Sequence, residues 1–270
     1  MATVALRLDH ADQRLRTRIR WSLGDAAVMT RRYSLQLVRV PTILFFALLQ
    51  PVMFVLLFRY VLGGSIPVPG TTYAEYFIPG AIVQSTAFSS FGTAVGLNFD
   101  VGRGLVDRIR AMPTARFAVL VGRLASDTVR SLGMVIVLVG VGYAVGFRFE
   151  NGVGAAIAMM VLAIVFGVPI CCIAATIGLT MRDPEAVQSF GLIWLFPLTF
   201  ISGAFVRVQS MPGWLQVVAR ANPVTLAVDS MRSFAYGGPL EVHLLETIAW
   251  MVGILAVFGP LAIRAYKRTT

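Results

Sequence analysis

The side chains able to do covalent, metal or proton chemistry are few in this 270-residue sequence: two histidines, two cysteines, one lysine and thirteen acids. A serine nucleophile inside a membrane needs a histidine facing it, and a zinc site needs three or four His, Cys or carboxylate ligands. His10 falls in an Arg-rich stretch near the start and His243 at the edge of the last apolar run, so neither site can be assembled. Cys171 and Cys172 are adjacent inside an apolar run and read as inert small hydrophobes. A phosphate-cradling loop needs Gly-Lys-Ser/Thr, whereas the single lysine, Lys267, sits in Tyr266-Lys267-Arg268. Proton- or ion-coupled carriers place a carboxylate deep in the bilayer. Glu75, Asp100, Asp127, Glu150, Asp183 and Glu246 are instead expected at span edges or in loops. The expectation is a chain without catalytic residues, metal or bound cofactor.

The elements around these residues explain the shortage. Apolar residues make up 57% of the chain and charged residues only 13%, at a mean hydropathy of +0.78. Soluble domains carry about 25% charged residues, so the chain is read as an all-α polytopic membrane protein. Six apolar stretches approach the roughly 20 residues a bilayer crossing takes: 41–62, 77–99, 124–147, 154–179, 189–206 and 244–263. The fifth is short, and the third opens on Ser126, Asp127 and Arg130. Of the 23 basic residues, eighteen fall in segments on one side of these spans and five on the other. That asymmetry predicts both termini in the cytoplasm, in agreement with six crossings. It also suits topology better than a nucleic-acid surface. No cleavable signal segment is read in the first 40 residues. Residues 1–22 are expected to be a flexible basic arm. Residues 23–40 are expected to form an interfacial helix, with Ala26, Met29, Tyr33, Leu37 and Val40 on one stripe; a solvated basic arm is the plainer alternative. A single domain is expected over 23–265, with 266–270 as cytoplasmic tail.

The loop after the second span is the most informative short segment. Leu105, Ile109 and Met112 recur at helical spacing while Asp107, Arg108 and Arg110 lie off that stripe. This predicts a short amphipathic helix between Gly104 and Pro113. By periodicity alone its apolar face could rest on the bilayer, the bundle or another protein, and the arginines could be mere inside-positive residues. The run Gly104-Leu105-Val106-Asp107-Arg108-Ile109-Arg110-Ala111-Met112-Pro113, followed by Gly122-Arg123 and Asp127, resembles the pattern of type-2 ABC transporter permeases of the daunorubicin-resistance branch. Ser202-Gly203-Ala204-Phe205, Met211-Pro212-Gly213-Trp214-Leu215, Asn222-Pro223-Val224-Thr225, Asp229-Ser230-Met231-Arg232 and Arg182-Asp183-Pro184-Glu185-Ala186 resemble the same family. Arg207 departs from it, standing where a proline is expected. The resemblance implies that 104–113 is a coupling helix seated in a separate ATPase subunit. Leu105 and Ile109 would be its apolar anchors, with Asp107, Arg108 and Arg110 as polar contacts. It further implies a second permease, identical or different, and ATP and Mg bound on the ATPase and not on this chain.

Between Arg207 and Glu241 the sequence is too polar to span and too apolar for a plain loop. A short helix over 211–219, a break at Asn222-Pro223 and a second helix over 224–236 ended by Gly237-Gly238 are predicted. Two half-length helices suggest a re-entrant segment over 211–238 containing Trp214. Asp229 and Arg232, three apart on the second helix, can pair. Arg59 can snorkel to the headgroups. In the second span Gln84, Ser85, Thr86, Ser89 and Ser90 form a polar patch that must face the bundle or a cavity. Interhelical bonding and a translocation path are equally open readings of it. The function implied by the resemblance is export of an amphipathic drug, antibiotic or lipid across the cytoplasmic membrane. A polysaccharide or glycolipid cargo, or a non-transporting membrane scaffold, are the alternatives.

Overall fold

The computed structural model describes residues 24, 25, 27–35, 39, 41–63, 72–104, 118–238 and 240–268. They are almost entirely helical, with no strand among them. Helix α1 (Pro41–Leu57) continues into a π-helical turn, Phe58–Leu62. It is followed by α2 (Tyr73–Gly102), α3 (Ala118–Ala144), α4 (Gly152–Thr180) and α5 (Pro184–Phe200). The short α6 (Gly213–Ala221) and α7 (Pro223–Tyr236) precede α8 (Leu240–Arg268). Leu105, Asp107, Arg108, Ile109, Arg110, Met112 and Pro113 of the expected coupling helix lie outside the described residues.

Local chemistry sets several helix ends. Thr72 and Glu75 form a reciprocal cap at the start of α2, each side chain bonding the other's backbone N–H at 3.3 and 2.7 Å. Gly104, with φ of +64°, follows the other end of α2, and its N–H donates to the Val101 carbonyl at 2.9 Å. Asp183 and Asn222 accept from the Glu185 and Val224 N–H groups, each ahead of a proline at the first helical position.

With 30 residues, α2 is about 45 Å long at 1.5 Å per residue, and more than half of it is buried. It stands at the centre, packed on α3, α4, α5 and α7. By length and hydropathy, three helices among the described residues could each cross a membrane: Leu120–Ala144, Gly152–Thr180 and Leu240–Arg268. The polar residues of α2 and the 17-residue length of α5 keep those two off that count. Residues 189–206 were expected to be one continuous span, but α5 already begins at its Asp183 cap and stops at Phe200. Beyond it the chain is captured by α7. Asn222 Nδ2 donates to the Leu198 and Ile201 carbonyls at 2.7 Å each, and the Gly203 N–H donates to Thr225 Oγ1 at 3.0 Å.

The bundle has two distinct ends. At the basal end, where α2 finishes and α3 begins, Met29 and Tyr33 of the helical segment 27–35 pack with Leu97, Leu120, Leu179, Ala262 and Tyr266. The Tyr33 hydroxyl donates to Asp100 at 2.9 Å. Burial pushes the Asp100 carboxyl up from its ordinary value, with the Tyr33 bond and nearby arginines opposing it, and burial likewise pushes the Tyr33 phenol up. At the apical end Arg59 donates to the Val145 carbonyl at 3.2 Å. Asn151, ahead of α4, donates to the Ser233 and Phe234 carbonyls at the end of α7. The main core between the ends includes Phe77, Ile82, Leu138, Met159, Phe166, Ile170 and Met231.

Candidate functional site

A cavity of about 550 Å³ lies between α1, α2, α3 and α5. On α2 it is lined by Gln84, Ser85, Phe88, Ser89, Phe91 and Gly92. These positions recur at one, four, five, seven and eight residues from the first and so share one helical face. Of the polar patch on α2, Gln84, Ser85 and Ser89 therefore reach the cavity. Thr86 and Ser90 do not: each hydroxyl bonds a carbonyl of its own helix, and the Thr86 methyl lies against Gly167 of α4. Phe54, Phe196 and Phe200 complete an aromatic wall, with the Phe88 and Phe196 rings edge to face at 5.6 Å. Ala47, Gln50, Val129, Gly133, Phe196 and Phe200 are exposed as well as lining, so the cavity opens at the side of the bundle.

Gln50 and Arg130 are among the lining residues that were not anticipated from the sequence. Gln50 is a lone amide in the apolar run of α1, which was the only available signal. Arg130 belongs to a cluster on α3 whose spacing could have been noticed. Arg123, Asp127 and Arg130 lie four and three residues apart on one helical face, opposite glycines four apart on α2. Asp127 was expected at a span edge, but it is only 3% exposed, held between α2 and α3. One carboxylate oxygen meets Arg130 Nη2 at 3.0 Å. The other takes the Thr93 hydroxyl at 2.5 Å and lies 3.5 Å from Arg123 Nε. Both arginines also donate to α2, Arg123 to the Gly92 carbonyl at 2.7 Å and Arg130 to the Ser89 carbonyl at 2.6 Å. A Cβ on Gly92 or Gly96 would occupy the space these guanidinium groups fill. The absence of side chains at these two positions is what allows a charged cluster between the helices. Asp127 is nine residues into α3, about 14 Å from its basal end.

A second clamp closes the apical end. Arg232 of α7 is 8% exposed, and its guanidinium carbon sits 3.6 Å from the centre of the Tyr76 ring. Its N–H groups reach the Tyr76 carbonyl at 2.9 and 3.1 Å, the Gly203 carbonyl at 2.8 Å and Asp229 at 3.0 Å. The Tyr76 hydroxyl donates to the Gly203 carbonyl at 2.9 Å, and Gly80 packs directly on the Ala204 backbone. Burial pushes the Tyr76 phenol up, against the pull of Arg232. Asn222 and Pro223 form the joint between α6 and α7, and Trp214 on α6 stands 72% exposed. Arg207 is exposed at the end of the captured segment. The only described member of the expected coupling segment is Gly104. Among the described residues, no group of three His, Cys, Asp or Glu side chains could hold a metal.

These elements fall largely inside a region shared with known proteins. Residues 25–236 match the profile of the ABC-2 type transporter. The chain is 34% identical to the daunorubicin resistance ABC transporter permease protein DrrB1 of Streptomyces coeruleorubidus, over 91% of this chain and 84% of the relative. It is 29% identical to the probable doxorubicin resistance ABC transporter permease protein DrrC of Mycobacterium tuberculosis, over 83% and 81%. A putative transport permease, ycf38, of Cyanophora paradoxa is 24% identical over 78% and 73%.

Proposed function

The chain belongs to the ABC-2 type transporter family, and on that premise we propose that it is the membrane-spanning permease subunit of an ATP-driven exporter. Its cargo is an amphipathic drug, antibiotic or lipid, and its energy comes from a separate ATPase subunit that binds ATP and Mg. The observation that carries this reading is the cavity on α2, where Gln84, Ser85 and Ser89 stand among phenylalanine rings. A few polar groups on an aromatic wall suit a molecule that is itself part apolar and part polar. The drug-resistance names of the relatives support the cargo class.

In this proposal the basal end is cytoplasmic, six segments cross the membrane, and α6 and α7 form a re-entrant pair on the outer side within a single domain, 23–265. A second permease, identical or different, pairs with this one. The segment Gly104–Pro113 docks on the ATPase through Leu105 and Ile109, with Asp107, Arg108 and Arg110 at its rim and Met112 on the apolar side. Its position suits the task, because the α2 and α3 helices that flank it are bound together by the Arg123–Asp127–Arg130 clamp. A push on the loop then moves both helices as one body against the cavity. The test is Ile109→Asp in the assembled transporter. Loss of ATPase co-purification and of drug efflux is expected, with the thermal melting of the permease unchanged. Wild-type association with the ATPase would overturn the coupling assignment.

A further inference from the structure

A second pocket, of about 680 Å³, opens at the basal end between α2, α4 and α8. Arg182, just past α4, and Arg264 and Arg268, in the last turns of α8, stand around it, and all three are exposed. Among the described residues, no acidic side chain lines it, and the three guanidinium groups have no hydrogen-bond or ion-pair partner. Asp183 and Glu185, the acids nearest to Arg182 in sequence, lie outside it, and Asp183 is turned to the Glu185 N–H as the cap of α5. The pocket's other polar side chains are already engaged. Asn98 Nδ2 donates to the Gly178 and Met181 carbonyls at 3.2 and 2.7 Å. The Thr180 hydroxyl donates to the Thr176 carbonyl at 2.6 Å, and the Thr176 hydroxyl to the Cys172 carbonyl at 2.9 Å. The bonds from Asn98 cover carbonyls at the end of α4 that would otherwise repel an anion. What the pocket offers a ligand is its arginines.

Helix-end dipoles and an inside-positive bias account for cations at this end one by one. They do not account for Arg264 and Arg268 four apart on one helical face, where like charges repel, beside a third arginine around the same hollow. An anion shared by the three removes that repulsion. Helix length and the surface of α8 specify the kind of anion. α4 and α8 have 29 residues each, about 43 Å at 1.5 Å per residue, against about 30 Å of hydrocarbon. Their basal turns therefore reach the level of the headgroups. The face of α8 that carries Arg268 and Arg264 continues through Leu261, which also lines the pocket, to Val257, and both apolar side chains are exposed. Val257 stands about 10 Å nearer the apical end than Arg264. Cations at headgroup level with an apolar stripe leading into the bilayer match a phosphate and an acyl chain in that order.

We propose that this pocket holds an anionic phospholipid, its phosphate shared by Arg182, Arg264 and Arg268 and an acyl chain along Leu261 and Val257. The lipid is a bound part of the bundle at the seam between α4 and α8 and not the cargo. In the orientation proposed above it comes from the cytoplasmic leaflet.

The test uses the full-length permease in dodecyl maltoside and two phospholipids carrying a nitrobenzoxadiazole label on one acyl chain, phosphatidylglycerol and phosphatidylcholine. Saturable binding of phosphatidylglycerol is expected to be tighter by about tenfold, the factor of one charge-assisted hydrogen bond. Arg264→Gln with Arg268→Gln should erase the preference, and Arg264→Lys with Arg268→Lys should keep most of it. Arg207→Gln with Arg220→Gln removes the same charge from exposed apical positions and should leave the preference intact. Equal affinities in the wild type, or a preference that survives the basal glutamines, would overturn the proposal. Displacement of the phosphatidylglycerol probe by inorganic phosphate at the concentrations at which unlabelled phosphatidylglycerol displaces it would give the site to a soluble phosphate and overturn the lipid assignment. Loss of ATPase co-purification in the basal glutamine variant, with lipid preference unchanged, would give the arginines to the partner subunit and likewise overturn it.

Discussion

Arg232 sits over the ring of Tyr76, its guanidinium carbon 3.6 Å from the ring centre, and at the same time donates two hydrogen bonds to the Tyr76 carbonyl. One side chain thereby ties α7 to the start of α2 and, through the Gly203 carbonyl, to the chain leaving α5. The apical end is a three-element joint with a cation at its centre.

Arg232→Ala would remove two bonds to the Tyr76 carbonyl and one to the Gly203 carbonyl, which keeps its Tyr76 hydroxyl donor, and a hydrogen bond to a charged group contributes about 1.5–3 kcal/mol. A large drop in the melting temperature of the purified permease is expected. In a double-mutant cycle with Tyr76→Leu, the two residues should couple by about 1–2 kcal/mol, the range of a desolvated cation–π contact. Additive effects would show that the stacking contributes nothing beyond the carbonyl bonds.

Asp127→Ala would strip the carboxylate from between two buried arginines. Breaking a buried pair by removing one partner costs about 3–5 kcal/mol. Thr93→Val removes only the hydroxyl, which reaches Asp127 and, at 3.5 Å, Cys171 Sγ, and should cost about 1 kcal/mol. Thermal unfolding of the two variants in the same detergent compares them directly. Equal losses would mean that the hydroxyl, and not the charge pair, holds α2 to α3.

The basal contact between Tyr33 and Asp100 has a pH signature. Burial raises the Asp100 carboxyl above its unfolded value, so the folded state favours the protonated form. Its contribution to stability is full below the unfolded pKa and is lost as pH rises through the folded one. Between acid and neutral pH the wild type is therefore expected to lose stability relative to Asp100→Asn, which has no such proton to release. Melting temperatures recorded across that interval should diverge between the two, and parallel curves would refute the assignment.

The proposed topology is open to direct labelling. Val153 is 76% exposed near the start of α4, and Cys171 and Cys172 are buried. Val153→Cys should react with a membrane-impermeant maleimide added to intact cells. Reaction only after permeabilisation would reverse the orientation.

The features legible in the sequence were those set by neighbours a few residues apart. Asn222 with Pro223 marks a helix start because a cap needs only the next turn of backbone. The Asp229–Arg232 spacing is likewise local, and the two side chains stand 3.0 Å apart. Apolar content and the arginine distribution depend on composition and order alone, and with the family motifs they were enough to indicate an ABC-2 permease.

Only the tertiary structure decided which way the polar residues look. Gln84 and Thr86 are two positions apart on α2, about 200° around the helix, and only the placement of α1, α3 and α5 determines which of them meets a cavity. The position of Asp127 turned on glycines more than 30 residues away, because Gly92 and Gly96 leave room for the arginines that make its burial tolerable. Likewise, α5 ends at Phe200 and not at Val206 because Asn222, Thr225 and Arg232 reach back to hold the chain that follows it. Hydropathy along the chain cannot register such distant partners, since a side chain is placed by what it meets across the bundle.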